Sequence, residues 1–354
     1  MKHWSTAAPL LAAALLVAAG LLPESGPLSV VAGLALVGAV LAAVHHAEVV
    51  AHRVGEPLGT LVLALAVTII ETSLIVSLML AGGPEKAELA RDTVYAAVMI
   101  ICNGVIGLCV LVGGIRHREQ TFRIEGAGPA FAALVALATL ALVLPGFTTS
   151  APGPSYTPAQ LTFAGLCSLA LWGVFVFVQT IRHRDYFLPP EGAGEEAHLP
   201  PPTARAAWTS LLLLLVSLVG VVGLAKVLSP SIEGAVRAAG APDAVIGIAI
   251  ALLVLLPETV AAVRAAHANR LQTSMNLALG SALATIGLTI PAVVAVSLLF
   301  HLPVILGLDP KDLVLLLLTF LVGTVTLGSG RTSIMQGAVQ LVVFAAFLFL
   351  SLVP

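Results

Sequence analysis

The stretch 57–80, PLGTLVLALAVTIIETSLIVSLML, is long enough to cross a bilayer, and Glu71 is the only ionisable residue in it. A membrane-spanning helix needs about 20 predominantly apolar residues. A second stretch answers the first. In 243–266, DAVIGIAIALLVLLPETVAAVRAA, Glu258 is the only ionisable residue between the flanking Asp243 and Arg264. An acidic side chain at the centre of a membrane helix costs about 2.5 to 3.5 kcal/mol even on a lenient insertion scale. Two such placements imply a common use, a shared site for cations and protons near the membrane midplane. The plainer reading, a neutral carboxyl group hydrogen-bonded to a neighbouring helix, suits one isolated acid better than two in matching positions of two half-chains.

Composition agrees with that setting. The 354 residues are 59% hydrophobic and 10% charged, with a mean hydropathy of +1.07, so there is too little polar surface to cover a soluble globule. The chain reads as an all-α polytopic membrane protein. A net charge of -2 gives no basic stripe, which excludes nucleic acid as a partner and leaves membrane lipid and inorganic cations. Oligomeric state is not legible. Cys102, Cys109 and Cys167 all fall in apolar segments, where a thiol acts as a small hydrophobe, and no disulfide framework or metal-ligand spacing follows.

Segments of membrane length, separated by charge or by Gly/Pro punctuation, fall at 6–22, 27–50, 57–81, 93–115, 128–147, 159–181, 207–228, 243–265, 273–299, 312–329 and 333–352. About 11 transmembrane helices are therefore expected. The first has an alternative reading as a signal peptide, since Lys2 and His3 precede a short Ala-rich core. With the N-terminus on one side, that side collects Lys2, Arg53, Arg116, Arg118, Arg123, Arg182, Arg184, Arg205, Arg264, Arg270 and Arg331; the other keeps Lys86, Arg91, Lys226, Arg237 and Lys311. The positive-inside bias makes the first side cytoplasmic, with the C-terminus outside. For a bacterial chain the membrane is the cytoplasmic (inner) one.

The stretch 182–206, RHRDYFLPPEGAGEEAHLPPPTARA, is rich in proline, glycine and charge and reads as a cytoplasmic linker. It divides the chain into an N-terminal helix (1–26), a first five-helix repeat (27–181) and a second (207–354). An odd number of helices per half forces the two halves into opposite orientations, an inverted repeat. In each half the second helix bears the lone Glu and the third bears small polar residues: Asn103 in the first; Asn276, Ser281 and Thr285 in the second.

Several neighbours can supplement the carboxylates. Thr68 lies one turn before Glu71, and Thr72 and Ser73 adjoin it, although about half of such hydroxyls return their hydrogen bond to their own helix. Pro257 precedes Glu258; it lacks an N–H and frees a backbone carbonyl near mid-membrane, a helix break of the kind found at transporter ion sites. Gly104, Gly107, Gly280 and Gly287 permit close helix approach. Oxygen ligands alone favour hard cations such as calcium or sodium and argue against zinc or copper, with Glu71 and Glu258 as the metal-binding carboxylates. His45, Glu48 and His52 share a helical face near the cytoplasmic surface and suggest a pH sensor or metal site, against the plainer reading of a solvated helix end. No HExxH, GxSxG or P-loop motif is present, which speaks against an enzyme.

The blocks GEPLGTLVLALAVTIIETSLIVSLML (55–80) and LLPETVAAVRAAHANRLQTSMNLALGSALATIGLTIP (255–291) resemble the two repeats of the calcium/cation antiporter superfamily, nearest its ChaA-type bacterial sodium/calcium-proton antiporters. The resemblance implies an eleven-helix exchanger in which Glu71 and Glu258 bind cation and proton, Asn103 and Ser281 lend polar ligands, and the linker stands where the family has an acidic cytoplasmic segment. One departure matters. The calcium/proton branch has GNAT or GNAA before each Glu, whereas Val67, Thr68, Ile69 and Ile70 and then Val254, Leu255, Leu256 and Pro257 stand here, so two amide ligands are missing and sodium or potassium joins calcium as a candidate. The reading is an antiporter with no cofactor, its ligands being the transported cation and protons. A uniporter without proton coupling, or an intramembrane enzyme using the paired carboxylates, is the alternative.

Overall fold

The computed structural model describes residues 3–21, 26–55, 58–188, 202–238, 242 and 244–353. The central part of the linker, with Glu191, Glu195 and Glu196, lies outside the described residues. Eleven helices follow one another among those described: α1 (His3–Leu21), α2 (Gly26–Val54), α3 (Leu58–Gly82), α4 (Leu89–His117), α5 (Ile124–Phe147), α6 (Pro158–Arg182), α7 (Ala204–Ala238), α8 (Ala244–His267), α9 (Leu271–Phe300), α10 (Pro310–Gly328) and α11 (Ile334–Leu352). Nine contain stretches long and apolar enough to span a membrane. α8 qualifies as two half-helices, Gly247–Leu256 and Glu258–His267, bent by 50° at the proline position, and α1 holds a shorter apolar helix, Trp4–Ala19. The chain is an all-α polytopic membrane protein.

Some elements differ from the sequence expectation, with π-helical turns in α5 at Thr139–Val143 and in α6 at Val178–Arg182 as well as the two cases that follow. α7 runs to Ala238 instead of stopping near 228, carrying Pro230 inside it. A proline forfeits one backbone bond and kinks a helix without having to end it, and 35 residues at ~1.5 Å each exceed the hydrocarbon thickness, so this end projects past the core. α4 is interrupted by a π-helical turn at Ile100–Val105, which no periodicity announces.

The halves interlock instead of sitting side by side. α2 packs on α7, the first helix of each half, and α1 covers both. α9 packs on α3 and α6 of the first half, and α4 packs on α8 and α11 of the second, the same relation read in reverse. Close crossings depend on glycine. A Cβ on Gly337 of α11 would lie 2.5 Å from the Leu111 nitrogen and 2.8 Å from the Gly107 oxygen of α4, so the two backbones touch. A Cβ on Gly287 of α9 would strike Trp172 of α6 at 2.5 Å.

The connections follow the same reversed relation. On one face the α4–α5 loop meets the α8–α9 loop through Gln120 Nε2 donating to the Ala266 carbonyl at 2.8 Å, and pairs with the α10–α11 loop as a two-residue antiparallel ribbon, Gln120 opposite Thr332 and Thr121 opposite Arg331. On the other face the α9–α10 loop meets the α3–α4 loop through Ile305 N and Ala87 O at 2.9 Å, and the α5–α6 loop through Gly307 N and Pro154 O at 3.0 Å.

Candidate functional site

Helix α9 carries Ser281, Thr285 and Thr289 at a spacing of four, which sets three hydroxyls in one stripe, each about 6 Å further along the axis. All three are buried, at 1%, 1% and 0% exposure. Each hydroxyl meets a partner on another helix. Ser281 Oγ donates to Glu258 Oε2 of α8 at 2.5 Å, Thr285 Oγ1 donates to Glu71 Oε2 of α3 at 2.8 Å, and Thr289 Oγ1 pairs with Thr72 Oγ1 of α3 at 2.8 Å. One face of one helix thus gathers the lone acids of both halves, with their hydroxyl donors a single turn apart.

Burial makes this costly and therefore informative. Glu71 is 0% exposed and Glu258 is 5% exposed. Glu71 Oε1 has no hydrogen-bond partner among the described residues. An unsatisfied polar oxygen in an apolar interior costs on the order of 1 to 3 kcal/mol. The arrangement is a short column of oxygens from two carboxylates and four hydroxyl-bearing residues, open in chemistry to a hard cation or a proton. In α8 the backbone carbonyl four residues before Pro257 loses its helical donor, which adds an oxygen near Glu258 in the sequence, while Thr259 Oγ1 returns to the Leu255 carbonyl at 2.8 Å.

The other expected site residues are engaged elsewhere. Thr68 is buried and donates to the Ala64 carbonyl of its own helix at 2.8 Å. Asn103, buried within the π-helical turn of α4, donates to Thr319 Oγ1 of α10 at 2.8 Å and touches Met99 Sδ. Asn276 donates to the Phe187 carbonyl and accepts from Gln272, so it ties α9 to the segment after α6. None of these three hydrogen-bonds to either carboxylate. Thr289 and Thr319 were not singled out in the sequence. The repeat of hydroxyls at 281, 285 and 289 is the signal that points to Thr289; Thr319 carries no local signal, because its hydroxyl also serves the Leu315 carbonyl of its own helix.

The histidine face of α2 does not assemble into a metal site. Among the described residues no group of three or more His, Cys, Asp or Glu side chains is placed to hold a metal. His45 lies beside the Trp4 ring at 5.6 Å, the adjacent His46 is buried with Nε2 on the Ser5 carbonyl at 2.7 Å, and Glu48 and His52 are exposed. His45 and His46 fasten α2 to α1.

Comparison with known proteins bears on the whole chain. The sequence profile of the Sodium/calcium exchanger protein family matches residues 25–181 and 209–353. The protein y4hA of Sinorhizobium fredii is 51% identical over 99% of this chain and 96% of its own length. The sodium-potassium/proton antiporter ChaA of Escherichia coli is 34% identical over 89% of this chain and 87% of its own. In fold, the chain is similar to native YfkE, with a TM-score of 0.73 at 18% identity over 99% of this chain and 100% of that one. It is likewise similar to the H+/Ca2+ exchanger CAX, with a TM-score of 0.74 at 15% identity over 98% and 88%. With residues 25–181 and 209–353 matched by one profile and a relative one-third identical along most of its length, the chain belongs to the sodium/calcium exchanger protein family.

Proposed function

We propose that the chain is a secondary active antiporter, exchanging cytoplasmic calcium or sodium, with potassium as a third candidate, for protons through Glu71 and Glu258. The observation that carries this reading is the convergence of the two acids on hydroxyls one turn apart on α9. A charged carboxylate held alone in an apolar interior is expensive, and either a proton or a cation removes that expense. The two ligands therefore compete for the same oxygens, which is the condition for obligatory exchange. Thr72, Thr285, Thr289 and Ser281 act as neutral ligands around the acids, while Asn276 ties α9 to the segment after α6, Asn103 ties α4 to α10, and Thr68 bonds within its own helix.

Exchange needs the site to face one side at a time. The repeats 27–181 and 207–354, joined by the linker 182–206, are the units that would move about it. Eleven lysines and arginines on one set of connections against five on the other support an N-terminus in the cytoplasm of a bacterial inner membrane and a C-terminus outside. The names of the relatives, a sodium-potassium/proton antiporter at 34% identity and Ca(2+)/H(+) antiporters at 23% and 25%, are consistent with a transporter and not an enzyme, and with this list of cations.

The test uses everted vesicles that carry a pH-gradient dye and receive calcium, sodium, potassium or magnesium in turn. The parent protein is expected to release trapped protons on addition of at least one of them. Glu71→Gln and Glu258→Gln are each expected to fall to the level of vesicles without the protein, while remaining inserted at normal abundance. Proton-coupled flux retained in both variants defeats the assignment. Cation uptake with no dye response identifies a uniporter instead.

A further inference from the structure

A cleft between α3, α6 and α9 is lined by Leu61 and Ala64, by Phe175 and Gln179, and by Asn276 and Gly280. It lies on the side of the carboxylates toward the face that carries the α6–α7 connection. Leu61 and Ala64 precede Glu71 on α3, and Gly280 and Ala284, which also lines the cleft, immediately precede Ser281 and Thr285 on α9. Gly280 has open space where a Cβ would stand, so the floor is bare backbone next to the hydroxyl stripe.

The polar members differ. Asn276 has its amide nitrogen on the Phe187 carbonyl and its oxygen on Gln272. Gln179 is 2% exposed and lines the cleft, and among the described residues its amide has no hydrogen-bond partner. It stands in the π-helical turn Val178–Arg182 that ends α6, an irregularity that recurs at functional positions. An amide that meets only a narrow cleft, with no protein partner, is a cost that an apolar residue of the same size would avoid. A ligand that comes and goes accounts for it.

We propose that Gln179 forms a staging site for a partly dehydrated alkali or alkaline-earth cation. The amide oxygen replaces a water of hydration before the ion moves along α9 to the carboxylates. The ligand class follows from the donor, a neutral hard oxygen in a cleft whose other amide, Asn276, is already paired, and from the chain of oxygens that begins at its inner end. The inference rests on the antiport reading and deepens it by naming a residue on the path from one face only.

Initial rates of exchange, measured against cation concentration with the cation on either face, test it. Everted vesicles present the cation to the face of the α6–α7 connection, and right-side-out vesicles present it to the other. For Gln179→Leu and Gln179→Met the apparent KM on the connection face is expected to rise about five- to tenfold, the effect of one lost oxygen ligand. The maximal rate and the KM on the opposite face should stay within about twofold. The thermal midpoint of Gln179→Met is expected to hold or rise, because it removes an unpartnered amide. Gln179→Glu keeps the oxygen and is expected to hold or lower the KM, and it decides the matter should the leucine variant fail to insert. A KM unmoved on the connection face, or raised equally on both faces, overturns the proposal while leaving the antiport reading intact. Parent vesicles that exchange none of the cations for protons overturn the antiport reading, and the staging site with it.

Discussion

At the scale of single residues, a hydroxyl in a membrane helix serves either its own backbone or a neighbour, and the sequence does not say which. Thr68 and Thr285 look alike on paper, each a threonine in an apolar run. In the folded chain Thr68 donates to the Ala64 carbonyl and Thr285 donates to Glu71. The two acids stood out because charge in a membrane-length run is costly, and Ser281 and Thr285 because they lie on the helix that follows Glu258, among several other polar residues. That Thr285 meets Glu71 was not legible, since it depends on a crossing between residues 214 apart in the sequence. The difference between the two threonines gives a paired expectation. Thr285→Val deprives Glu71 Oε2 of its donor and is expected to slow exchange about tenfold or more at subsaturating cation, in line with an unpaired buried oxygen at 1 to 3 kcal/mol. Thr68→Val removes only a bond within one helix and should stay within about twofold. Proton-release rates in everted vesicles compare the two, and equal losses would show that Thr285 is no closer to the exchange step than Thr68.

At the scale of helices, the apolar runs located every span to within a few residues, apart from the long α7, because hydropathy reports length directly. The crossings were less readable. The sequence marked Gly104, Gly107, Gly280 and Gly287 as places of close approach without saying which helix would come near. In the structure Gly107 faces Gly337 of α11 and Gly287 faces Trp172 of α6, while Gly280 faces the cleft. The π-helical turn around Asn103 was also invisible, since one extra residue per turn leaves no trace in an apolar run. Glycines at a crossing and glycines elsewhere should therefore respond differently to one added methyl. Gly337→Ala places a Cβ against the Leu111 nitrogen and the Gly107 oxygen, backbone atoms that cannot swing away, and is expected to lower the thermal midpoint in detergent by several degrees, as an overpacked core does. Gly173→Ala on α6 meets nothing within 4 Å and should hold or raise it, since alanine is favoured over glycine in a helix by about 0.5 to 1 kcal/mol. Equal midpoints for the two variants would mean that α4 and α11 are not in backbone contact.

At the scale of the molecule, the expectation of an inverted repeat was readable from arithmetic alone: five spans, a polar linker, five spans, and arginines concentrated on alternate connections. The interlocking of the halves was not, because nothing local distinguishes side-by-side bundles from intertwined ones. The loop contacts sort the connections into two sets without any appeal to charge. Gln120, Ala266, Thr332 and Arg331 meet at one face, and Ala87, Ile305, Gly307 and Pro154 at the other. The first set coincides with the arginine-rich connections, and Arg53 Nη1 on the Pro202 carbonyl at 3.3 Å ties the end of α2 to the α6–α7 connection. Charge bias then implies which set is cytoplasmic. Glu119 and Glu85 are exposed on the two sets respectively, and the native thiols Cys102 and Cys109 are buried. In a Cys167→Ser background, a membrane-impermeant maleimide applied to intact cells is expected to label Glu85→Cys, and to label Glu119→Cys only after the membrane is opened. Labelling of both from outside would place the two connections on one face and dissolve the inverted repeat. The reverse pattern would keep the repeat but turn the whole exchanger over, so that the Gln179 cleft would open outward and the cation would meet it from the wrong side for export.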